Sequence, residues 1–341
     1  MSVMNNGPGP RPLTRRLIRT GAAVTALGVG SLTLAACGDD SGAANGKVSV
    51  AASFYPMAFL AQQIGGDHVE VQNLTKPGVE PHDLELSPKQ TGELSQVDMI
   101  VYLKGLQPAV DEAVKQSEVE NVAEATSFTT LEKHGDDVHG EKDHDHGDGD
   151  GHDHGDEGGH EGHDHGDTAG GDPHVWLDPV RYAQIAEGVG KQLQKADPDH
   201  KAEYKKNTDA LVSRIETLDK DFKKGLKGKK TDTFITTHAA FGYLAERYGL
   251  HEEAVSGIDP ESEPSASRMK DLHKVAKEDD VDTVFFEDNA SDKTAKTLAK
   301  DLRLKTSVLS PLESLKDPKR QDYFSVMHQN LTALKIALGA Q

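Results

Sequence analysis

Short apolar runs alternate with stretches of helical spacing along most of this chain. Val48–Ser53 reads as a strand, Tyr55–Ile64 as a helix and His68–Leu74 as a second strand. Ser87–Gln96 reads as a helix, with Ser87 as its cap and Pro88 at its first position. Met99–Leu103 is a further strand and Pro108–Gln116 a further helix. After a long polar interruption, Pro179–Lys195 and Pro198–Lys224 read as successive helices, the second with Val212, Ile215, Leu218 and Phe222 near helical spacing. Gly225–Lys230 breaks that pattern and the alternation restarts. Strands are expected at Phe234–Thr236, His251–Val255, Val281–Phe286 and Ser307–Leu309, with helices near Ala239–Tyr248, Ser265–Lys277, Ser291–Leu302 and Tyr323–Leu338. Alternation on both sides of one long helix predicts an α/β protein of two lobes with mostly parallel sheets, the ligand site falling in the cleft at the strands' carboxyl ends.

The interruption changes the picture. From His134 onward the chain consists almost wholly of His, Asp, Glu and Gly, with His134, His139, His144, His146, His152, His154, His160, His163 and His165 accounting for nine of the seventeen histidines. So little apolar surface cannot offset the entropy of ordering, so a mobile loop is expected. Imidazoles interleaved with carboxylates suit zinc and other borderline metals, making His144, His146, His152, His154, His160, His163 and His165 candidates for weak metal binding.

Arg11, Arg15, Arg16 and Arg19 precede an uncharged run from Gly21 to Ala36, which reads as a secretory signal, through either the general or the twin-arginine route. The run is too short and too rich in Gly and Ala to span a bilayer, and it ends at Leu34-Ala-Ala-Cys-Gly38, which resembles a lipobox. Cys37 is the only cysteine, so an internal disulfide is impossible and lipid attachment is the expected use of this thiol. The net charge of −19 is concentrated in the His-rich tract, and no stripe of Lys and Arg suits a phosphate backbone, which argues against nucleic acid as a partner.

Three further histidines follow predicted strands on stiff supports. His82 lies in Lys76-Pro-Gly-Val-Glu-Pro-His82, His174 in Asp172-Pro-His-Val-Trp-Leu-Asp-Pro179, and His238 closes Thr233–Thr237. Together with Thr237-His-Ala-Ala-Phe-Gly-Tyr243, Gly257-Ile-Asp-Pro-Glu-Ser-Glu-Pro-Ser265 and Phe286-Glu-Asp-Asn-Ala290, these segments resemble the metal-binding lipoproteins of zinc and manganese ABC importers, the ZnuA-like cluster. The resemblance runs from Lys47 to the C-terminus. It implies lobes joined by a rigid long helix, metal ligation by His82, His174 and His238, and a fourth ligand that is an acid or a water before the closing helix. Glu313 occupies that place and Glu287 competes for it, while Glu80 and Asp83 are read as outer or solvated groups.

The resemblance also implies a domain plan: signal peptide at 1–36, tether at 37–46, N-terminal lobe at 47–197 with its metal loop at 134–170, linking helix at 198–226 and C-terminal lobe at 227–341. The function it implies is capture of Zn²⁺ by a monomeric, lipid-anchored, extracytoplasmic protein that delivers the ion to a membrane permease driven by an ATPase. Manganese members of the family tend to carry an acid where His238 stands, and the His-rich insertion is a feature of zinc members. A manganese-type binding protein and a surface zinc buffer or adhesin stay as alternatives. A zinc hydrolase lacks its motif, because no His-Glu-x-x-His is present.

Overall fold

The computed structural model describes residues 46–134, 171–261, 264–287 and 293–340. The expected signal peptide, Cys37 and the tract histidines from His139 to His165 lie outside these residues, whereas His134 lies within them. Two four-stranded sheets are present. The first holds β1 (Val48–Ala52), β2 (Val69–Asn73), β3 (Met99–Tyr102) and β4 (Val122–Glu124) in the order β2-β1-β3-β4. The second holds β5 (Thr233–Thr236), β6 (His251–Ala254), β7 (Thr283–Phe286) and β8 (Lys305–Val308) in the order β6-β5-β7-β8. Every pairing is parallel.

Helices α1 (Tyr55–Gly65), α2 (Pro88–Leu94) and α3 (Pro108–Gln116) belong to the first sheet, and α6 (Gly242–Tyr248), α7 (Ala266–Glu278) and α8 (Lys293–Leu302) to the second. Central strands β3 and β5 are buried at all four positions, whereas β2 alternates and β8 is mostly exposed, as edges do. In each lobe the chain steps to one side of its first strand and then returns to the other. The switch points therefore lie between β1 and β3 and between β5 and β7, where ligands collect in open parallel sheets.

Helix α4 (Pro179–Ala196) packs on the first sheet and on α5 (Lys201–Gly225), and α9 (Tyr323–Ala337) closes the described elements. At 25 residues α5 is about 37 Å long. It buries Tyr204, Leu211, Ile215, Leu218 and Phe222 along one face, against α1, α4 and α9. One contiguous apolar core contains residues of β1, α1, α4, α5, α6 and α9, so both lobes share the same packed interior. Tyrosines and the tryptophan tie that core with polar tips: Tyr182 Oη donates to Pro56 O (2.7 Å) and Tyr323 Oη to Trp176 O (2.7 Å).

Differences from the expected elements at β4, at the start of the long helix and at α6 have structural reasons. The three-residue edge strand β4 is too short to show alternation in sequence. The long helix starts at Lys201, after a 3-10 turn at Pro198–His200 where Asp197 accepts from His200 Nδ1 (2.7 Å) and Tyr204 Oη (2.6 Å). Helix α6 starts at Gly242, after a non-helical turn in which Ala239 N–H donates to Gly257 O (3.0 Å), Ala240 N–H to His238 O (3.0 Å) and Phe241 N–H to a Glu252 carboxylate oxygen (2.9 Å).

The close approach of α4 to α5 depends on Gly190, where a Cβ would lie 2.2 Å from Thr208 Oγ1. An Ala in a helix gains about 1 kcal/mol over Gly, while overpacking costs about 1–3 kcal/mol, so Gly190→Ala should be net destabilising. Gly92 in α2 has open space where its Cβ would stand, and Gly92→Ala should stabilise by up to about 1 kcal/mol. Denaturant midpoints of the two variants should move in opposite directions; a Gly190→Ala protein as stable as the parent would refute the tight α4–α5 contact.

Candidate metal centre

His82, His174, His238 and Glu313 are each held by a different device. His82 sits beyond β2 in a turn where Gly78 takes a left-handed φ of +73°, and its N–H donates to Glu80 Oε1 (3.1 Å). His174 lies in the segment before α4, where Asp172 Oδ1 accepts both its backbone N–H (2.9 Å) and its ring Nδ1–H (2.7 Å). The segment then passes through a 3-10 turn at Val175–Leu177 into α4, which Asp178 caps by accepting from Val180 N–H (2.8 Å). His238 follows β5, and its Nδ1 is in short contact with Glu287 Oε1, which follows β7. These two residues therefore stand at the switch point of the second sheet.

Glu313 is placed by the loop before α9. Asn330 of α9 accepts Ser310 N–H (2.9 Å) and donates to Ser310 O (2.7 Å), while Trp176 Nε1–H donates to Pro311 O (2.7 Å). Leu312 between them has φ +62° although fully buried, a conformation that costs a bulky residue about 1–2 kcal/mol and persists because its neighbours fix it. The Trp176 bond ties the segment of His174 directly to that of Glu313.

The four side chains converge, with one ligand-capable atom from each lying within 4.8 Å of the others. Glu313 Oε1 is 3.0 Å from His174 Nε2, 3.3 Å from His82 Nε2 and 3.7 Å from His238 Nε2, and the Nε2 atoms of His174 and His238 are 3.5 Å apart. With zinc bonds of about 2.0–2.1 Å, the edge of a ligand tetrahedron is about 1.6 times as long, or about 3.3 Å. The four separations given above bracket that edge. Because Nδ1 of His174 and of His238 faces a carboxylate, Nε2 is the atom each ring offers to the centre.

The electrostatics are those of a site that needs positive charge. His174, His238, Glu313, Glu287 and Asp172 are all buried, and His82 is the most accessible of the four convergent side chains. Burial opposes a charge on His174, but Asp172 and then Glu313 outweigh it and hold its pKa up to about 10. The same balance, with Glu287 and Glu313 against burial, holds His238 at about 9. Burial pushes Glu313 up, but His174 and His82 outweigh it and hold the carboxyl well below the usual carboxylate range. Glu80 is pushed up to about 8 by burial and by the nearby Glu313. Two buried oxygens, Glu313 Oε2 and Glu287 Oε2, have no hydrogen-bond partner among the described residues, which suits a cation between these groups.

Of the other residues the sequence nominates, Glu287 lies behind His238 rather than among the convergent four. Glu80 lies beside Glu287 and Glu313, whose ligand-capable atoms it approaches within 4.8 Å. Asp83 is exposed. The part played by Asp172 goes unnoticed in the sequence, although an acid two residues before a histidine across a proline is a signal that could have found it. His68 and His200, which show no partner in the sequence, stack at 3.7 Å between ring centroids.

Comparison with known proteins places the chain in a family. The family model of zinc-uptake complex component A, periplasmic (ZnuA), matches residues 50–337. The chain is 37% identical over 312 residues to the zinc-binding lipoprotein AdcA of Streptococcus pneumoniae, covering 89% of this chain and 58% of that protein. It thus spans little more than half the length of that relative. It is 36% identical over 319 residues to the high-affinity zinc uptake system protein ZnuA of Bacillus subtilis, covering 90% of this chain and 94% of that one. The crystal structure of Zn(II)-bound AdcA from Streptococcus pneumoniae superposes with a TM-score of 0.69 at 33% identity, covering 87% of this chain and 59% of that chain. This chain, with its two parallel-sheet lobes around a long helix, belongs to the ZnuA family of zinc-uptake components.

Proposed function

We propose that this protein captures a single Zn²⁺ ion between His82, His174, His238 and Glu313 and hands it to a membrane permease driven by an ATPase. The observation that carries the reading is the convergence of three imidazole nitrogens and one carboxylate oxygen within 4.8 Å of one another, the donor set zinc favours, whereas manganese prefers more oxygen. The names of the relatives support the same cargo. Four protein ligands leave no coordination position for an activated water, which suits carriage rather than hydrolysis. The ion enters and leaves on the His82 side, because His174, His238 and Glu313 are enclosed. Delivery is tested by zinc uptake in cells lacking the gene: restored uptake with the wild-type chain and none with His174→Ala is expected, and restored uptake with His174→Ala would contradict it.

The His-rich tract in this reading collects zinc weakly, through His144, His146, His152, His154, His160, His163 and His165, and Cys37 anchors the chain by lipid to the outer face of the membrane. A Cys37→Ala protein should bind zinc as tightly as the parent but appear in the soluble fraction on cell fractionation. Retention in the membrane would mean another anchor.

His174→Ala should weaken the tight site by at least about a hundredfold, because losing a group that merely orients a ligand costs about ten- to a hundredfold and this change removes a ligand itself. His154→Ala should leave it within about twofold, its neighbours being interchangeable. Trp176 is the only tryptophan and its ring lies 5.2 Å from that of His174, so its emission reports on this site. Equal losses in the two variants would show that the principal site lies in the tract.

Proton competition fixes the pH dependence. With folded pKa values raised to about 10 and about 9, His174 and His238 carry protons at neutral pH in the metal-free protein and lose them on zinc binding. Their charged pairs also stabilise the metal-free fold fully below an unfolded pKa of about 6.5, and that contribution fades as pH rises through about 9 to 10. Apparent zinc affinity should therefore climb between pH 6 and 8 by about two decades per pH unit, one for each proton displaced. Competition with a chelator of known pH dependence reads the slope; a slope near zero would contradict the assignment of these two rings.

A further inference from the structure

A second cluster lies where the segment after β4 meets α6 of the C-terminal lobe, outside the site described above. Glu132, His134 and Glu246 bring one carboxylate or imidazole atom each within 4.8 Å of one another. The buried Asp172 serves both places: its Oδ1 faces His174 Nδ1 at 2.7 Å and its Oδ2 faces His134 Nδ1 at 3.0 Å. His134 is thus oriented as His174 is, with Nδ1 on the shared carboxylate and Nε2 turned toward another acid, here Glu246 Oε2 at 3.3 Å. A ring nitrogen fixed by a buried carboxylate while the other faces an acidic ligand is the arrangement that tunes histidines for metals.

The seat of His134 is built. Its ring rests over Gly242 at the start of α6, where an added Cβ would lie 2.4 Å from His134 Cβ and 2.5 Å from its Cγ. The edge of Tyr243 closes another side, at 4.5 Å between ring centroids. Tyr243 Oη accepts Glu132 N–H (2.7 Å) and donates to Asp172 O (2.8 Å), and Asp172 N–H donates to Glu132 O (2.7 Å). The segment that carries Glu132 and His134 is therefore fastened by its backbone. Arg181 pairs with Oε1 of Glu132 and balances one of the charges. Glu246 is more than half exposed, so the cluster opens to solvent, and two carboxylates held this close favour a cation between them.

We propose that Glu132, His134 and Glu246 form a second, solvent-facing site for a borderline divalent cation such as zinc, joined to His174 through Asp172. One imidazole and two carboxylates are a zinc donor set with room for water. Three ligands, one shared with Arg181, hold the ion less tightly than four of which three are buried, so this site fills only with zinc in excess. It shares no ligand with the inner site and stands on its own geometry.

Crystals of the full chain grown with a several-fold molar excess of zinc, measured on both sides of the zinc absorption edge, test it. The expected result is an anomalous peak about 2.0–2.2 Å from His134 Nε2 and from the carboxylates of Glu132 and Glu246, lost in His134→Ala and in Glu246→Gln while the inner peak stays. An inner peak alone, with His134 still on Glu246, would overturn the proposal, as would an outer peak that persists in His134→Ala. An outer peak without an inner one would leave this site standing and refute the reading of the principal site instead.

Discussion

The pairing of buried carboxylates with the backs of imidazole rings is what this structure depends on. Asp172 behind His174 and Glu287 behind His238 fix two rings whose Nε2 atoms stand 3.5 Å apart. Burial opposes a charge on both histidines, and those carboxylates, together with Glu313, oppose that effect. With them, protons supply the positive charge in the metal-free protein, and the proposed cargo replaces those protons. A centre of this kind requires little rearrangement to bind, because the carboxylate oxygen of Glu313 already stands 3.0–3.7 Å from all three imidazole nitrogens.

Holding such groups together against their desolvation demands a frame that does not give way. Two lobes with separate sheets share one core around α5, and the segments that carry the proposed ligands are bonded to one another through Trp176 and Pro311 as well as to the helices, through Asn330 and Ser310. The left-handed Leu312 shows the cost of presenting Glu313 from so tight a loop. The shared core joins the lobes, and in the proposed function passage of an ion falls to the turn that holds His82, the least enclosed of the four.

Much of this is legible in the sequence, and the reasons are local. Central strands such as Met99–Tyr102 and Thr233–Thr236 are buried on both faces and read as apolar runs, and prolines at 88, 108 and 179 mark helix starts through their fixed φ. His82, His174, His238 and Glu313 can be nominated because each lies in a motif that resembles the family's. Illegible are the relations that only tertiary contact creates. Nothing in sequence pairs Glu287 with His238, sets Asn330 against Ser310, or lets Gly242 receive His134 across 108 positions. The turn before α6 is misread for the same reason, since tertiary bonds from Ala239 and Phe241 to Gly257 and Glu252 hold it.

The most direct measurement is a pair of crystal structures of the full chain, metal-free and with one equivalent of zinc. The account predicts that the first zinc lies about 2.0–2.2 Å from Nε2 of His82, His174 and His238 and from a carboxylate oxygen of Glu313, with Asp172 and Glu287 still on the Nδ1 atoms and the ligand segments displaced by well under about 1 Å. A first zinc bound elsewhere, or a metal-free structure in which these four side chains stand apart, would contradict it.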